Sequence, residues 1–172
     1  MNLEFFLKRL AANARTLESF CLDLTDEQAL WRQSPKKWSV QQVVYHLAKT
    51  EINDFRPRLE KTLRDRSEDW TPLYPAEMRL DQTSDKNRLS EYLENFLAER
   101  EKNVSWLKTL ENPNWQDAHR HNEKLMLAAG DLLASWLAHD FLHLKQILRL
   151  QYDYTNAMSA PFKTDYAGLW TA

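Results

Sequence analysis

The sequence predicts an all-α protein, a four-helix bundle made from a chain of 172 residues. Only two residues are glycine, whereas folds rich in sheet usually need glycine at many tight turns. Apolar residues recur at spacings of three and four along four segments, which is typical of helices with one buried face. We expect one domain, residues 1–172, because the chain is too short to favour two independent cores.

The first predicted helix starts near Leu3. Its apolar face consists of Leu3, Phe6, Leu10, Leu17, Phe20 and Leu24. One polar residue, Asn13, interrupts this stripe at the same spacing. Because a buried polar group needs a partner, we expect Asn13 either to contact a ligand inside the bundle or to satisfy a neighbouring protein group.

The second helix follows two capping signals. Thr25 with Gln28, and then Ser39 with Gln42, have the spacing of a capping box. After Ser39 the pattern predicts one long helix that continues to about residue 64. Its apolar residues are Val43, Val44, Leu47, Ile52, Phe55, Leu59 and Leu63. Pro57 should kink this helix, since proline lacks a backbone donor and crowds the preceding turn.

Residues 67–83 are expected to form a long connection, because they contain two prolines and few periodic apolar positions. Ser84 or Asp85 then caps a third helix, which the segment 112–114 should end. The inner face of that helix is Leu89, Leu93, Phe96, Val104 and Leu107. Arg100 interrupts this face, and we expect it either to contact an anionic ligand or to extend toward the end of the bundle.

A polar stretch leads to Gly130, after which Leu132–Leu150 is strongly helical. His119 and His121 lie in the polar stretch and are expected to be solvated. Past Tyr152 the sequence is rich in aromatic residues but weakly patterned. This region predicts a C-terminal tail or short helix over one end of the bundle.

The fourth helix carries the residues that point to chemistry. His139 and His143 are four residues apart, so that both imidazoles lie on one face and can bind one transition metal ion. For the isolated pair, one buried and one solvated histidine is an equally good interpretation. Gln146 continues the same polar face. Asp140 is expected to orient an imidazole, to bond the backbone or to form a surface salt bridge.

The second helix has a matching polar stripe. Its members are Gln42, His46, Thr50 and Asn53. The stripe either faces inward or is solvated, and the neighbouring Val43 and Leu47 argue against full exposure. If helices two and four are neighbours, His46 is the natural third ligand, and three imidazoles with an open position describe a catalytic site rather than a structural one. Asn53 is then a candidate substrate contact, and no catalytic residue can be assigned.

Composition and charge exclude several classes of function. The formal charge is −2, with 23 basic and 25 acidic residues, which gives no broad positive field for nucleic acid. No stretch approaches 18 consecutive apolar residues, so we expect no membrane span. A single cysteine, Cys21, and the lack of a secretory signal predict a cytoplasmic protein.

Two blocks of the sequence resemble the DinB/YfiT-like superfamily of metal-dependent enzymes. Residues 37–48, KWSVQQVVYHLA, resemble its W-S-x-x-x-V-x-x-H-L start of helix two. Residues 132–147, LLASWLAHDFLHLKQI, resemble its H-D-x-x-H-x-x-Q-I block in helix four. The resemblance covers nearly the whole chain and implies a DinB-like four-helix bundle of the up-down-down-up type.

In that superfamily one histidine of helix two and two of helix four bind a divalent ion, often zinc or nickel. The matching residues are His46, His139 and His143. Some relatives are transferases or isomerases that use a low-molecular-weight thiol. We therefore expect a divalent-metal-dependent enzyme acting on a small molecule, either a thiol-dependent S-transferase or a hydrolase. The alternative is a non-catalytic metal- or ligand-binding bundle, a stress-related or interaction protein, and the resemblance is compatible with a homodimer.

Overall fold

The computed structural model describes residues 1–64, 70, 72, 78, 88–122 and 125–170, and every structural statement below refers to these residues. They contain six α-helices, one β-hairpin and a final 3-10 turn. The elements are α1 Leu3–Cys21, α2 Asp26–Leu30, α3 Val40–Asn53, α4 Phe55–Arg64, α5 Leu89–Lys108, β1 Ala118–Asn122, β2 Leu125–Ala128, α6 Ala129–Met158 and the turn Asp165–Ala167.

Four helical rods form the bundle: α1, α3 continued by α4, α5, and α6. Helix α1 packs against α5 and α6, while α3 packs mainly against α5 and α4 packs against α6. The α1 rod and the α3–α4 rod therefore occupy opposite corners. The predicted four-helix bundle is confirmed. The expected contact between the helix of His46, α3, and the helix of His139 and His143, α6, is also confirmed.

Two apolar clusters fill the bundle and give the direction of each rod. One cluster joins Leu17, Val43, Leu93 and Ile147, and the other joins Leu10, Leu59, Leu107 and Leu133. The first therefore contains the C-terminal halves of α1 and α6 and the N-terminal halves of α3 and α5. Since α1 and α6 run opposite to α3 and α5, the order is up-down-down-up, as predicted.

Both predicted capping boxes are present. Thr25 Oγ1 accepts from the Gln28 backbone N–H at 3.3 Å, and Gln28 Oε1 accepts from the Thr25 N–H at 3.0 Å. Ser39 and Gln42 make the same reciprocal pair at 3.3 and 2.9 Å. These bonds satisfy backbone donors that a helix start otherwise leaves free, and they fix the first turn of α3.

The predicted long second helix is interrupted at Asp54. This residue has a non-helical backbone, with φ −118° and ψ −87°, between α3 and α4. Pro57 explains the position, because it offers no N–H to the carbonyl of Asn53, four residues earlier, and its ring crowds that carbonyl. The predicted disruption is confirmed. Ile52, one of the apolar residues that predict the helix, lies just before the break and is 45% exposed.

The polar stretch before the last helix contains a β-hairpin that the sequence did not indicate. Strands β1 and β2 are antiparallel and pair Ala118 with Ala128. His121 is exposed, as predicted, but His119 is only 6% exposed. The expectation of a solvated His119 was wrong because its ring stacks on the indole of Trp70, with a centroid distance of 4.7 Å.

The ends of the last two rods differ from the sequence-based bounds. Helix α5 ends at Lys108, before the segment 112–114. The proposed caps Ser84 and Asp85, and most of the connection 67–83, lie outside the described residues. Helix α6 runs to Met158 and so includes Tyr152.

The expected cover of one end of the bundle by the aromatic residues after α6 is not confirmed. Phe162 and Tyr166 are exposed, whereas Trp170 lies 5.4 Å from Tyr152 between ring centroids. None of the helices in the described ranges is long and apolar enough to cross a membrane.

Candidate metal centre

Three histidines meet in the middle of the bundle: His46 on α3, and His139 and His143 one turn apart on α6. We call them the imidazole triad. The Nε2 atom of His139 lies 3.2 Å from Nε2 of His46 and 3.0 Å from Nε2 of His143. Two nitrogens that bind one tetrahedral zinc ion at about 2.0–2.1 Å are about 3.3–3.4 Å apart. Both nitrogen–nitrogen distances to His139 are therefore close to those of a zinc site.

Two of these rings are held by bonds through their other nitrogen. His46 Nδ1 lies 3.0 Å from the backbone carbonyl oxygen of Met78, and His143 Nδ1 lies 2.8 Å from Gln146 Oε1. Because both oxygens are acceptors, each Nδ1 carries the proton and donates it. Each neutral ring then has its lone pair on Nε2, which is directed at His139.

This arrangement leaves one contact within the triad that hydrogen bonding cannot satisfy. If Nε2 of His139 carries a proton, it can donate well to only one of the two facing lone pairs. If it carries none, three lone pairs face one another. A divalent cation bound by all three atoms removes this conflict, so the donor set fits a metal ion.

Burial keeps His139 and His143 neutral. The pKa of His139 falls from 6.5 to about 3; burial is the largest cause, and His143, His46 and Arg100 contribute to the same decrease. Burial likewise lowers the pKa of His143 to about 4, and the neighbouring His46 adds to this, while the bond to Gln146 opposes it. A metal ligand must be deprotonated. These two imidazoles are therefore in the ligating form at neutral pH.

Aromatic rings wall the triad. The indole of Trp38 lies 5.2 Å from the His46 ring and stacks nearly parallel on His143 at 6.4 Å between centroids. The ring of Phe55 lies 5.1 Å from His139. Apolar walls of this kind restrict water and lower the local dielectric. Trp38 and Phe55 therefore form part of the wall of the site.

A second polar cluster, the ion network, lies beside the triad. Its charged residues are Arg100, Glu51 and Asp140, and all three are at most 4% exposed. Arg100 donates to both oxygens of Glu51 at 3.0 and 2.8 Å, to both oxygens of Asp140 at 2.7 Å, and to the Leu10 carbonyl at 3.1 Å. Those five bonds use all five N–H donors of the guanidinium group.

Electrostatics keeps Arg100 charged. Burial alone would lower the pKa of Arg100, but the charges of Glu51 and Asp140 and their hydrogen bonds raise it above its ordinary value. Neutral donors complete the network. Asn103 and the indole N–H of Trp136 bond Glu51 at 3.0 and 2.7 Å.

The polar candidates from the sequence thus lie in three different surroundings. Gln146 contacts the triad directly. Asn13 donates to Asp140 at 3.3 Å, which corresponds to the alternative of satisfying a neighbour. Asp140 accepts from Asn13 and Arg100, so it supports the bundle rather than an imidazole. Arg100 has no donor left for a ligand. Asn53, at the end of α3, has an exposed side chain.

Glu51 is the buried residue that sequence reasoning missed. A signal was present, because Val44, Leu47, Glu51 and Phe55 follow one another at spacings of three, four and four. The carboxylate therefore lies on the apolar face of α3. A charged residue at such a position predicts a buried partner of opposite charge, and Arg100 is that partner.

Fold and site together define a class: helical bundles that place three imidazoles from two helices around one point. The chain belongs to the DinB superfamily, which residues 9–147 match. Among solved structures it is similar to YfiT from Bacillus subtilis, described as a probable metal-dependent hydrolase with an unusual four-helix bundle topology. The two are 20% identical, with a TM-score of 0.76 over 89% of this chain and 87% of that one. No curated protein gives a significant match.

Proposed function

We propose that this protein is a metal-dependent enzyme that acts on a small molecule and holds one divalent ion, zinc or nickel, through His46, His139 and His143. One observation carries the proposal. Two imidazoles with their protons on Nδ1 direct Nε2 lone pairs at the Nε2 atom of a third. The triad is also the one cluster of at least three metal-ligating side chains within the described ranges.

The site has the composition of a catalytic centre. Structural zinc sites are closed by four protein ligands, whereas catalytic ones keep a position for water or substrate. Among the described residues, the cluster of metal-ligating side chains consists of these three imidazoles and includes no fourth side chain. A divalent ion at this position would supply a Lewis acid, which polarises a substrate oxygen or lowers the pKa of a water or thiol.

Two reactions use that chemistry, hydrolysis and transfer of a low-molecular-weight thiol to an electrophile. The fold similarity to a probable metal-dependent hydrolase supports the first, and the superfamily resemblance of the two histidine blocks supports the second. The chain's own contribution is the same in both. His46 and His143 keep their Nδ1 protons, and Trp38 and Phe55 restrict water.

We also propose that residues 1–172 act as a single domain in a reducing compartment, the cytoplasm. Cys21 is buried in α1, and burial raises the pKa of its thiol to about 12. The thiol is therefore a packing group and not a nucleophile.

Elemental mass spectrometry on protein purified without a metal-affinity tag tests the metal centre. Wild type should contain about one equivalent of zinc or nickel, and His139→Ala and His143→Ala should lose it. His121→Ala is the matched control, because it removes an exposed imidazole outside the triad. Folded wild type that binds no metal after reconstitution would contradict the proposal.

The metal-loaded protein is then assayed for ester hydrolysis with p-nitrophenyl acetate and for thiol transfer with glutathione and 1-chloro-2,4-dinitrobenzene. Either activity should fall to the background in His139→Ala and remain in His121→Ala. Loaded protein that is inactive toward a wide panel of esters, amides and thiol acceptors would favour a non-catalytic binding bundle.

A further inference from the structure

A cavity of about 410 Å³ lies next to the metal centre. Helix α6, the connection between α2 and α3 and the C-terminal Trp170 form its walls. Its volume lies within the roughly 300–1,000 Å³ range of small-molecule sites. The cavity can therefore hold one small organic molecule.

The charge of the cavity differs in sign from that of the whole chain. Its lining includes the cations Lys37, Lys145 and Arg149 and one carboxylate, Asp153, whereas the chain carries a formal charge of −2. Lys37 and Lys145 are exposed and so extend into solvent around the opening. A positive lining on an acidic protein selects an anionic ligand.

Arg149 is placed to bind a carboxylate. Its ion pair with Asp153 uses Nε, which lies 2.9 Å from each oxygen of that carboxylate. The two terminal nitrogens carry four further N–H groups in a planar fork, the geometry that matches a carboxylate. The guanidinium also lies 5.8 Å from the centroid of the Trp170 ring, so an aromatic wall and a cationic group adjoin.

Two residues belong to both the cavity and the surroundings of the metal centre. Trp38 lines the cavity and stacks on His143. Gln146 lines the cavity and accepts the Nδ1 proton of His143. A molecule in the cavity therefore contacts the groups that hold the triad.

We propose that this cavity is the site for the anionic part of the substrate and that it binds a small carboxylic acid with an aromatic or aliphatic body. Arg149 and Lys145 bind the carboxylate, and the body lies against Trp38 and Trp170. The proposal rests on the proposed function, because it places the acid beside the metal-dependent reaction. The net positive lining and the two tryptophans together define the substrate class.

The test is an NMR titration of the zinc-loaded full chain with indole-3-acetate and with its neutral counterpart indole-3-acetamide. The indole N–H signals of Trp38 and Trp170 are assigned with Trp38→Phe and Trp170→Phe. We expect the acetate to shift both signals and to bind at least tenfold more tightly than the amide. Lys145→Glu and Arg149→Gln should each weaken acetate binding about tenfold. Lys108→Gln, an exposed lysine at the other end of the bundle, should not.

Equal affinity for acetate and amide, or unchanged affinity in Lys145→Glu, would overturn the proposal. Lys145 is exposed, so this variant is expected to fold. Zinc content is measured on the same samples to separate the two proposals. Full zinc occupancy without acetate binding refutes the cavity site alone. Acetate binding to a chain that takes up no zinc supports the cavity site and refutes the metal centre.

Discussion

Two polar clusters lie side by side in the bundle, and consecutive residues of α6 belong to them. His139 is part of the imidazole triad, and Asp140 is part of the ion network. In the ion network the five donors of Arg100 meet the oxygens of Glu51, Asp140 and Leu10. In the triad the Nε2 lone pairs of His46 and His143 face a third nitrogen.

This difference shows how neighbouring residues acquire different roles. A closed network of complementary charges can hold a bundle in one arrangement but has nothing left to bind a ligand. A cluster of lone pairs that face one another contributes little stability until a cation binds between them. Residues of the ion network should therefore affect the stability of the fold, and residues of the triad should affect metal binding.

Among single substitutions, the largest expected effect on stability is at the ion network. Arg100→Met leaves two buried carboxylates without their cation and should lower the free energy of unfolding by about 3–5 kcal/mol. Guanidinium unfolding followed by circular dichroism measures the change. If the variant does not fold, a triple variant with Glu51→Leu and Asp140→Leu removes the unpaired charges. It should regain stability relative to Arg100→Met, and failure to do so would contradict the role given to the network.

The triad should respond to metal instead. Zinc at about 100 times its dissociation constant should stabilise wild type by about 2.7 kcal/mol, and this gain should vanish in His143→Ala. Without metal, the same variant should stay within about 1 kcal/mol of wild type, since it leaves no unpaired charge. Unfolding curves with and without zinc test both statements. If His143→Ala without zinc lowered the free energy of unfolding as much as Arg100→Met does, the two clusters would not differ in role.

Acid should destabilise the metal-free protein through the triad. The pKa values of His139 and His143 fall from 6.5 to about 3 and about 4 on folding, so between these values the unfolded chain binds more protons than the folded one. The free energy of unfolding should therefore decrease as the pH falls from about 6.5 toward 3, by up to about 1.4 kcal/mol per pH unit for each imidazole.

Unfolding measured from pH 7.5 to 3.5 checks this dependence. The double variant His139→Ala and His143→Ala should show a shallower slope than wild type over that range, while His121→Ala should not. An identical slope in the double variant would show that other groups cause the acid sensitivity.

The smallest expected effect concerns support of the triad. Gln146→Leu removes the acceptor of the His143 Nδ1 proton and should weaken zinc binding about 10–100-fold without removing a ligand. Competition with a chromophoric chelator measures the affinity. Asn53→Ala should leave the affinity unchanged, because that side chain is exposed. An equal loss in Asn53→Ala would instead support the role that its place in the polar stripe predicts.

Periodicity and capping signals predicted much of this molecule because both are local. Ser39 and Gln42 satisfy each other within one turn, whatever the rest of the chain does. The four-residue spacing of His139 and His143 puts both rings on one face of any regular helix. The predicted break in the second helix also follows from one residue, Pro57, and its missing donor.

Other features were decided by residues distant in sequence. His119 is buried because Trp70, from the long connection, stacks on it. Arg100 interrupts an apolar stripe, which indicates burial but not a partner. The apolar pattern around Arg100 is the same whether its partner is a ligand or a side chain of another helix, so the pattern does not distinguish the two.

The sequence by itself determined the helices, their buried faces and the shared face of His139 and His143, since each depends on spacing along one segment. The meeting of His46 with that pair required the contact between α3 and α6. Only the tertiary structure decided which polar side chains are fully paired within the protein and which can still bind a ligand. Glu51, Arg100 and Asp140 come from three different helices, and they meet only because the bundle brings α3, α5 and α6 together. Burial then requires each charge to pair with one of opposite sign, which leaves the neighbouring triad as the cluster able to bind a cation.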